Sequence, residues 1–224
     1  RRAGKRASQT REQAERSTLM VARAFGLGFS GEMSDVTTVM TGPLYHSAPN
    51  AYGLAVARGG ATVILQPRFD AEQLLSLVEK HRVTHMHAVP VMFKRLLMLS
   101  SAVRNRYDTS SLRWVVHGAA PCDPETKRRM IAWWGPVIYE YYGATETGLV
   151  TLASSDDWLA HPGTVGRAAS GVTLRVLDAH GQDCSPGTVG EIACRNEDVG
   201  DFTYYGDDEK RRGADRSGLI FLGD

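Results

Sequence analysis

The sequence has few cysteines, no long apolar run and almost no excess charge, and each absence excludes a class of protein. Only three cysteines occur among 224 residues, Cys122, Cys184 and Cys194, and they follow no CxxC or other metal-binding spacing. This pattern argues against a disulfide framework and predicts reduced thiols in a cytoplasmic protein. No apolar run approaches the ~20 residues that span a bilayer, and no signal-peptide pattern opens the chain, so we expect a soluble protein.

Charge is nearly balanced, with 26 Lys and Arg against 25 Asp and Glu spread along the chain. The most basic stretch, Arg1 to Arg16, is typical of a solvated helix face, with a phosphate-binding arm as the alternative. Nothing in this distribution favours a nucleic acid as partner. Because the sequence starts without Met and stops just after the apolar run 219–222, we expect it to be an interior piece of a longer protein.

Strand-like and helix-like segments alternate up to about residue 162. Helical periodicity is present between Ser8 and Phe25, and Asp70, Pro90 and Asp123 mark the starts of further helices. Between them lie short β-rich runs at 36–40, 61–65, 83–89, 112–116 and 136–139. This order predicts an α/β fold with a mixed or parallel sheet covered by helices, and with ligands at the carboxyl ends of the strands.

After about Gly163 the pattern changes to short β-rich runs at 173–177, 189–194 and 219–222, separated by Gly, Pro, Asp and Asn. We therefore expect two regions. Residues 1–162 would form an α/β subdomain, and residues 163–224 would form a β-rich subdomain that is the start of a β-barrel-like unit.

The segment from Tyr139 to Gly148, YEYYGATETG, carries the most chemistry and follows a predicted strand. An aromatic ring can stack on a base, glycine lets backbone approach a ligand, a threonine hydroxyl can bond a phosphate oxygen, and a carboxylate can hold Mg²⁺. A nucleotide needs these groups. The residues alone leave a Gly-centred loop with polar surface side chains as the alternative.

Two other loops follow predicted strands. His117 to Pro121 reads HGAAP, in which small residues would let backbone touch a flat ring, with an ordinary strand-to-helix turn as the alternative. Pro43 to His46 reads PLYH, in a predicted loop that also carries Asn50. An imidazole there could orient a carboxylate or offset developing charge, and a solvent-exposed loop histidine is the alternative.

In their order along the chain, these segments resemble the motifs of the adenylate-forming superfamily, which includes acyl-CoA synthetases, firefly luciferase and peptide-synthetase adenylation domains. Residues 142–146, YGATE, match its YGxTE motif. The loop 117–121 is similar to its GGAP-type loop, with alanine for the second glycine, and 43–46 resembles its PLFH-like loop. Further resemblances are PGTVG at 162–166, GTVGEI at 187–192, and Gly223-Asp224 at the end of a TGD-like motif with leucine for threonine.

The resemblance implies that ATP activates a carboxylic acid as an acyl-adenylate, which coenzyme A then attacks to release AMP, with Mg²⁺ neutralising phosphate charge. By the same resemblance Tyr142 packs on adenine, Thr145 contacts phosphate and Glu146 holds Mg²⁺. His46 would lie near the reacting carboxylate, and Asp224 would accept hydrogen bonds from the ribose. The other implied nucleotide-binding residues are Gly118, Ala119, Ala120, Pro121, Glu140, Tyr141, Gly143 and Ala144.

The family pattern also implies two parts that this sequence lacks, a Ser/Thr/Gly-rich loop ending in PKG and a lysine on a mobile C-terminal domain. We therefore expect the chain to be a fragment of the large N-terminal domain, with little ligase activity alone. A fatty acid is the favoured substrate, and aryl or steroid acids are the alternatives, with a homodimer as the assembly considered. Two rival functions are a non-catalytic nucleotide-binding module of the same fold and a metal hydrolase built on His85 and His87.

Overall fold

The structure is a computed structural model that describes residues 3–5, 11–27 and 35–223. Its residues divide into two compact units. The α/β unit contains Val21–Tyr142 and Leu152–Arg167, and the β-rich unit contains Arg1–Met20, Gly143–Thr151 and Ala168–Asp224. A boundary between consecutive regions at Gly163 stays a prediction.

The elements follow one another in an order that alternates strands and helices and then becomes mostly β. The strands are β1 (Ala3–Lys5), β2 (Thr37–Met40), β3 (Thr62–Leu65), β4 (His85–Ala88), β5 (Trp114–His117), β6 (Ile138–Ala144), β7 (Gly148–Ala153), β8 (Arg167–Ala168), β9 (Val172–Leu177), β10 (Glu191–Asn196), β11 (Phe202–Tyr204), β12 (Asp215–Arg216) and β13 (Leu219–Phe221). The helices are α1 (Arg11–Ala24), α2 (Ser47–Arg58), α3 (Ala71–His81), α4 (Pro90–Met98), α5 (Ser101–Arg104), α6 (Pro124–Trp134), α7 (Ser155–Ala160) and α8 (Asp208–Ala214).

A parallel sheet forms the centre of the α/β unit, with strands in the order β3-β2-β4-β5-β6. All four residues of β4 are buried, which is typical of a strand covered on both faces. Helices α3, α4 and α6 pack on this sheet through a core that includes Val39, Leu74, Val78, Met86, Phe93, Leu96, Val115, Met130 and Ile138. The predicted α/β fold with a helix-covered, largely parallel sheet is confirmed.

Three predicted helix starts lie where the sequence placed them. Asp70 accepts a hydrogen bond from the Gln73 amide at 2.8 Å, and Pro90 lies in the first turn of α4. The Gln73 side chain accepts a further hydrogen bond at its Oε1, from Gln66 Nε2 at 3.0 Å. Asp123 caps α6, with its Oδ2 accepting from the Thr126 amide and hydroxyl, both at 2.9 Å.

Removing the cap of α6 should cost a modest amount of stability. Asp123→Ala leaves the Thr126 amide without its acceptor, so we expect the free energy of unfolding to fall by about 1 kcal/mol in a urea titration. Glu125→Ala, in the first turn of the same helix, removes only an exposed contact with Arg128 and should change stability by less than about 0.5 kcal/mol. Equal losses in the two variants would contradict the capping role.

The predicted loop after Pro43 is short, because α2 begins at Ser47 and includes Asn50. Proline is tolerated in a first helical turn, so Pro49 does not prevent the helix, and Tyr52 and Val56 provide its buried face. Asn50 Nδ2 donates to the Leu44 carbonyl at 3.1 Å, which fastens the loop to the helix. The assignment of Asn50 to the loop was wrong for this reason.

An antiparallel sheet in the order β12-β13-β10-β9 forms most of the β-rich unit, and β1 pairs antiparallel with β11. Ala193 and Cys194 of β10 and Phe202 of β11 are buried. The β-rich runs predicted at 173–177 and 219–222 correspond to β9 and β13, and the run at 189–194 begins two residues later, at Glu191.

Across the described ranges, no helix has the length and apolar character needed to cross a bilayer.

Candidate functional site

The strands that carry the predicted nucleotide residues lie side by side in the α/β unit. β5 and β6 are parallel, with His117 opposite Glu140, so the loop that begins at Gly118 lies beside Tyr141. A Cβ on Gly118 would lie 2.6 Å from Tyr141 Cε1 and 2.7 Å from the Tyr141 carbonyl oxygen. The small residue predicted for ligand contact is therefore also required by the protein's own packing.

The rest of this loop projects outward. Ala119 has a φ of +67°, a left-handed conformation that few alanines adopt, and Ala119, Ala120 and Pro121 are exposed. This backbone turns the chain from the end of β5 to the Asp123 cap of α6. Exposed small residues at the carboxyl end of a parallel strand leave backbone accessible to a flat ligand.

The YEYYGA part of the motif is a strand and not a loop, since β6 continues to Ala144. Its aromatic residues fit the half-buried surface of a sheet. Tyr139 stacks on Trp114 of β5 with ring centroids 3.4 Å apart and an interplanar angle of 9°. Tyr142 is half-buried. The tyrosines of this motif therefore both pack within the sheet and contribute to the protein surface.

A buried ion pair joins α6 to β6. Lys127 of α6 is fully buried, and its Nζ is 2.5 Å from Oε2 of Glu140, which is 6% exposed. The ammonium also lies 5.3 Å from the centroid of the Trp158 ring. Burial lowers the pKa of Lys127, and the hydrogen bond with Glu140 opposes that shift. Lys127 was missed from the sequence, although a lysine three residues before buried Met130 lies on the apolar stripe of its helix.

His117 is a fully buried, uncharged neighbour of this pair. Its Nε2 is 3.8 Å from Glu140 Oε2, and within the described residues neither ring nitrogen has a hydrogen-bond partner. Burial, followed by the positive charge of Lys127, lowers the pKa of His117 to about 3. The histidine at the start of the HGAAP loop is therefore neutral near pH 7.

The depressed pKa of His117 predicts a loss of stability in acid. In the unfolded chain a histidine binds a proton below about pH 6.5, whereas folded His117 does so only near pH 3. Its contribution to stability is complete above pH 6.5 and is lost as the pH falls, by about 1.4 kcal/mol per pH unit. Urea titrations between pH 7 and 4 give the free energy of unfolding as a function of pH. For His117→Gln this free energy should change less steeply with pH than in the wild type, by the equivalent of about one bound proton. An unchanged pH dependence would contradict the assignment.

The two histidines of β4 already have protein partners. His87 Nε2 lies 3.2 Å from the Tyr141 hydroxyl, and His85 Nδ1 lies 2.8 Å from Thr84 Oγ1. Burial lowers the pKa of His87 to about 4 and raises that of Tyr141 to about 12. In the part of the chain that the structure describes, no three His, Cys, Asp or Glu side chains form a group that could hold a metal ion.

The second half of the motif is a tight turn in the β-rich unit. The Ala144 amide donates to Thr147 Oγ1 at 3.3 Å, and a Cβ on Gly143 would lie 2.1 Å from the Gly148 carbonyl oxygen. Buried Asn196 of β10 donates from Nδ2 to the carbonyls of Thr147 at 3.1 Å and Leu149 at 2.9 Å. These hydrogen bonds and the close backbone packing at Gly143 therefore fix the turn between β6 and β7, which carries Thr145.

The Glu146 carboxylate has a partner in the same unit. The Tyr204 hydroxyl, at the end of β11, donates to Glu146 Oε1 at 2.8 Å. Neither Tyr204 nor Asn196 was singled out from the sequence, because both contacts join residues about 50 positions apart and no local spacing encodes them.

In the α/β unit, His46 is exposed at the N-cap position of α2. It follows β2, which is parallel to β4 and within the same sheet as β5 and β6. Carboxyl ends of parallel strands meet at one sheet edge, so His46 and the Gly118 loop belong to the same edge of the α/β unit. The remaining predicted residue, Asp224, lies outside the described residues.

The model of the family described as AMP-binding enzyme matches residues 13–201. An indoleacetate–CoA ligase of Aromatoleum aromaticum is 30% identical over 193 residues, which cover 85% of this chain and 37% of that protein. A medium/long-chain-fatty-acid–CoA ligase of Mycobacterium tuberculosis is 31% identical over 156 residues, covering 69% of this chain and 27% of that protein.

Among solved structures, an ATP-bound RpMatB–BxBclM chimera is similar to this chain with a TM-score of 0.81 and 27% identity. The match covers 98% of this chain and 42% of the chimera. The chain therefore spans less than half the length of each of these three proteins.

Proposed function

Because the chain belongs to the family of AMP-binding enzymes, we propose that the whole protein activates a carboxylic acid with ATP and transfers the acyl group to coenzyme A. In the first half, a carboxylate oxygen attacks the α-phosphorus of ATP, and the bond to pyrophosphate breaks. In the second half, the thiol sulfur attacks the acyl carbon, and AMP leaves. The observation that carries the proposal is the turn between β6 and β7, which carries Thr145 and Glu146. Hydrogen bonds from the Ala144 amide and from Asn196 fix this turn.

The α/β unit would bind the base. The exposed backbone from Ala119 to Pro121 can lie along the adenine, with the half-buried Tyr142 ring packing on it. Glu140, fixed by Lys127, lies at the same edge. His46, on the loop after β2, would orient the substrate carboxylate. Asp224 would accept hydrogen bonds from the ribose hydroxyls.

The residues of the turn fit Mg²⁺ as an ATP-bound ion. A nucleotide-associated Mg²⁺ is held by one or two carboxylates together with phosphate oxygens and water, so it needs no cluster of protein ligands. Glu146 offers a hard oxygen ligand, and the hydroxyl of Thr145 can bond a phosphate oxygen. Bound there, Mg²⁺ would neutralise charge on the phosphates during displacement.

The identity of the acid is proposed by class. The relatives are named for indoleacetate and for medium- and long-chain fatty acids, so both aryl and alkyl acids are supported. A fatty acid is our specific proposal, the acid for which one of these relatives is named, and aryl or steroid acids remain the alternatives. A cytoplasmic location and a homodimer stay predictions from the sequence.

A trapping assay on the whole protein tests the reaction. With ATP, Mg²⁺ and hydroxylamine, a panel of alkyl, aryl and steroid acids should yield hydroxamate for the true substrate, and pyrophosphate should exchange into ATP. Glu146→Gln should lower the exchange rate by about 10²-fold or more, because a charged metal ligand is lost. Nucleotide binding without exchange for any acid would instead support the non-catalytic module.

This chain alone provides a second test. If the family's PKG loop and C-terminal lysine are needed for chemistry, the chain should bind ATP or AMP but show almost no exchange. Exchange at the rate of the whole protein would overturn that expectation.

A further inference from the structure

The contact between Tyr204 and Glu146 has no role in the two proposed half-reactions. The Tyr204 hydroxyl donates to Glu146 Oε1 at 2.8 Å, and both residues belong to the β-rich unit. We propose that Tyr204 is a positioning residue that fixes the Glu146 carboxylate for a nucleotide-bound divalent cation. This inference rests on the proposed function, because it assigns Glu146 to that cation.

A hydroxyl donor directs a carboxylate without neutralising it. A carboxylate is an acceptor with two oxygens, and Tyr204 occupies Oε1, so a cation would take Oε2. The hydrogen bond restricts rotation of the carboxyl group and therefore lowers the conformational entropy lost when a cation binds. Outer partners of this kind typically change metal affinity by about 10–100-fold.

The Tyr204 ring is itself held in place. Lys210 Nζ lies 3.9 Å from the ring centroid, and Phe202 packs against the ring edge-on, with centroids 5.5 Å apart. The Lys210 amide is in turn capped by Asp207 Oδ1 at 3.0 Å. The hydroxyl is thus presented by a fixed ring, as a positioning role requires.

The backbone of Glu146 is fixed independently of its side chain. Asn196 of β10 holds the carbonyls of Thr147 and Leu149, while Tyr204 of β11 holds the carboxylate. Removing the Tyr204 hydroxyl should therefore free the Glu146 side chain without moving the turn. This separation makes a selective test feasible.

The test measures ATP affinity of the whole protein by equilibrium dialysis, once in EDTA and once in saturating Mg²⁺. For Tyr204→Phe we expect ATP affinity in EDTA to be unchanged, and the gain in affinity caused by Mg²⁺ to fall by about tenfold. The Mg²⁺ concentration for half-maximal pyrophosphate exchange should rise in parallel. Tyr205→Phe is the matched control, because Tyr205 is 89% exposed, and it should behave as wild type in both measurements.

The outcomes separate this inference from the proposed function. Equal weakening of ATP binding with and without Mg²⁺ would mean that Tyr204 is only structural, and an unchanged Mg²⁺ gain would also overturn the inference. In either case wild-type binding and its sensitivity to Glu146→Gln leave the proposed function standing. A wild-type protein that binds no ATP in either condition would overturn both.

Discussion

Replacing Lys127 with methionine is expected to lower the free energy of unfolding by about 3–5 kcal/mol, since it leaves a buried carboxylate without its counterion. Glu140 is 6% exposed, and Lys127 Nζ at 2.5 Å is its charged partner in the α/β unit. The other basic neighbour, His117, is uncharged near neutral pH because burial holds its pKa at about 3. With Lys127 in place it offers Glu140 no second positive charge. Urea titration monitored by tryptophan fluorescence gives the measurement.

A double variant distinguishes charge from packing. Methionine retains most of the length of lysine and can pack on Trp158, so Lys127→Met with Glu140→Gln should recover most of the lost stability. Lys80→Met on α3 is the control, because Lys80 is exposed, and it should change stability by less than about 0.5 kcal/mol. A double variant as unstable as Lys127→Met alone would mean that the loss comes from packing.

The sequence was most informative where local chemistry decides structure. Asp70, Pro90 and Asp123 act within one helical turn, so their helices could be placed from the sequence. The family of the chain was also accessible, because its motifs are short strings in a fixed order, and the match over residues 13–201 confirms that interpretation.

Contacts between distant residues explain most of what was missed. Lys127 faces Glu140 because α6 packs on β6, and Tyr204 reaches Glu146 across 58 positions of sequence. Neither pairing has a local pattern. The continuation of β6 through Ala144 is not predicted for a different reason, because Gly143 within a sequence is a typical loop signal. In the folded protein a close backbone contact requires that glycine, which is a known use of glycine in strands.

Gly143→Ala should be the most damaging single-methyl change in the proposed site. The new Cβ would lie 2.1 Å from the Gly148 carbonyl oxygen and 3.1 Å from Leu149 Cα, and both are backbone atoms that cannot rotate away. Relieving the overlap must displace the turn that carries Thr145 and Glu146. We expect stability to fall by about 2–3 kcal/mol. A comparable loss in ligand binding free energy would weaken ATP affinity by about 30–100-fold, measured by equilibrium dialysis on the folded fraction.

Gly213→Ala, in the same unit, should have the opposite effect on stability. Gly213 lies in α8, and a Cβ there would meet no atom within 4 Å. Alanine is a better helix former than glycine, so this variant should be more stable by up to about 1 kcal/mol and should bind ATP like the wild type. The opposite signs follow from local space alone, because both substitutions add the same methyl group. If Gly143→Ala bound ATP as tightly as Gly213→Ala, the turn between β6 and β7 could not be the phosphate-facing part of the site.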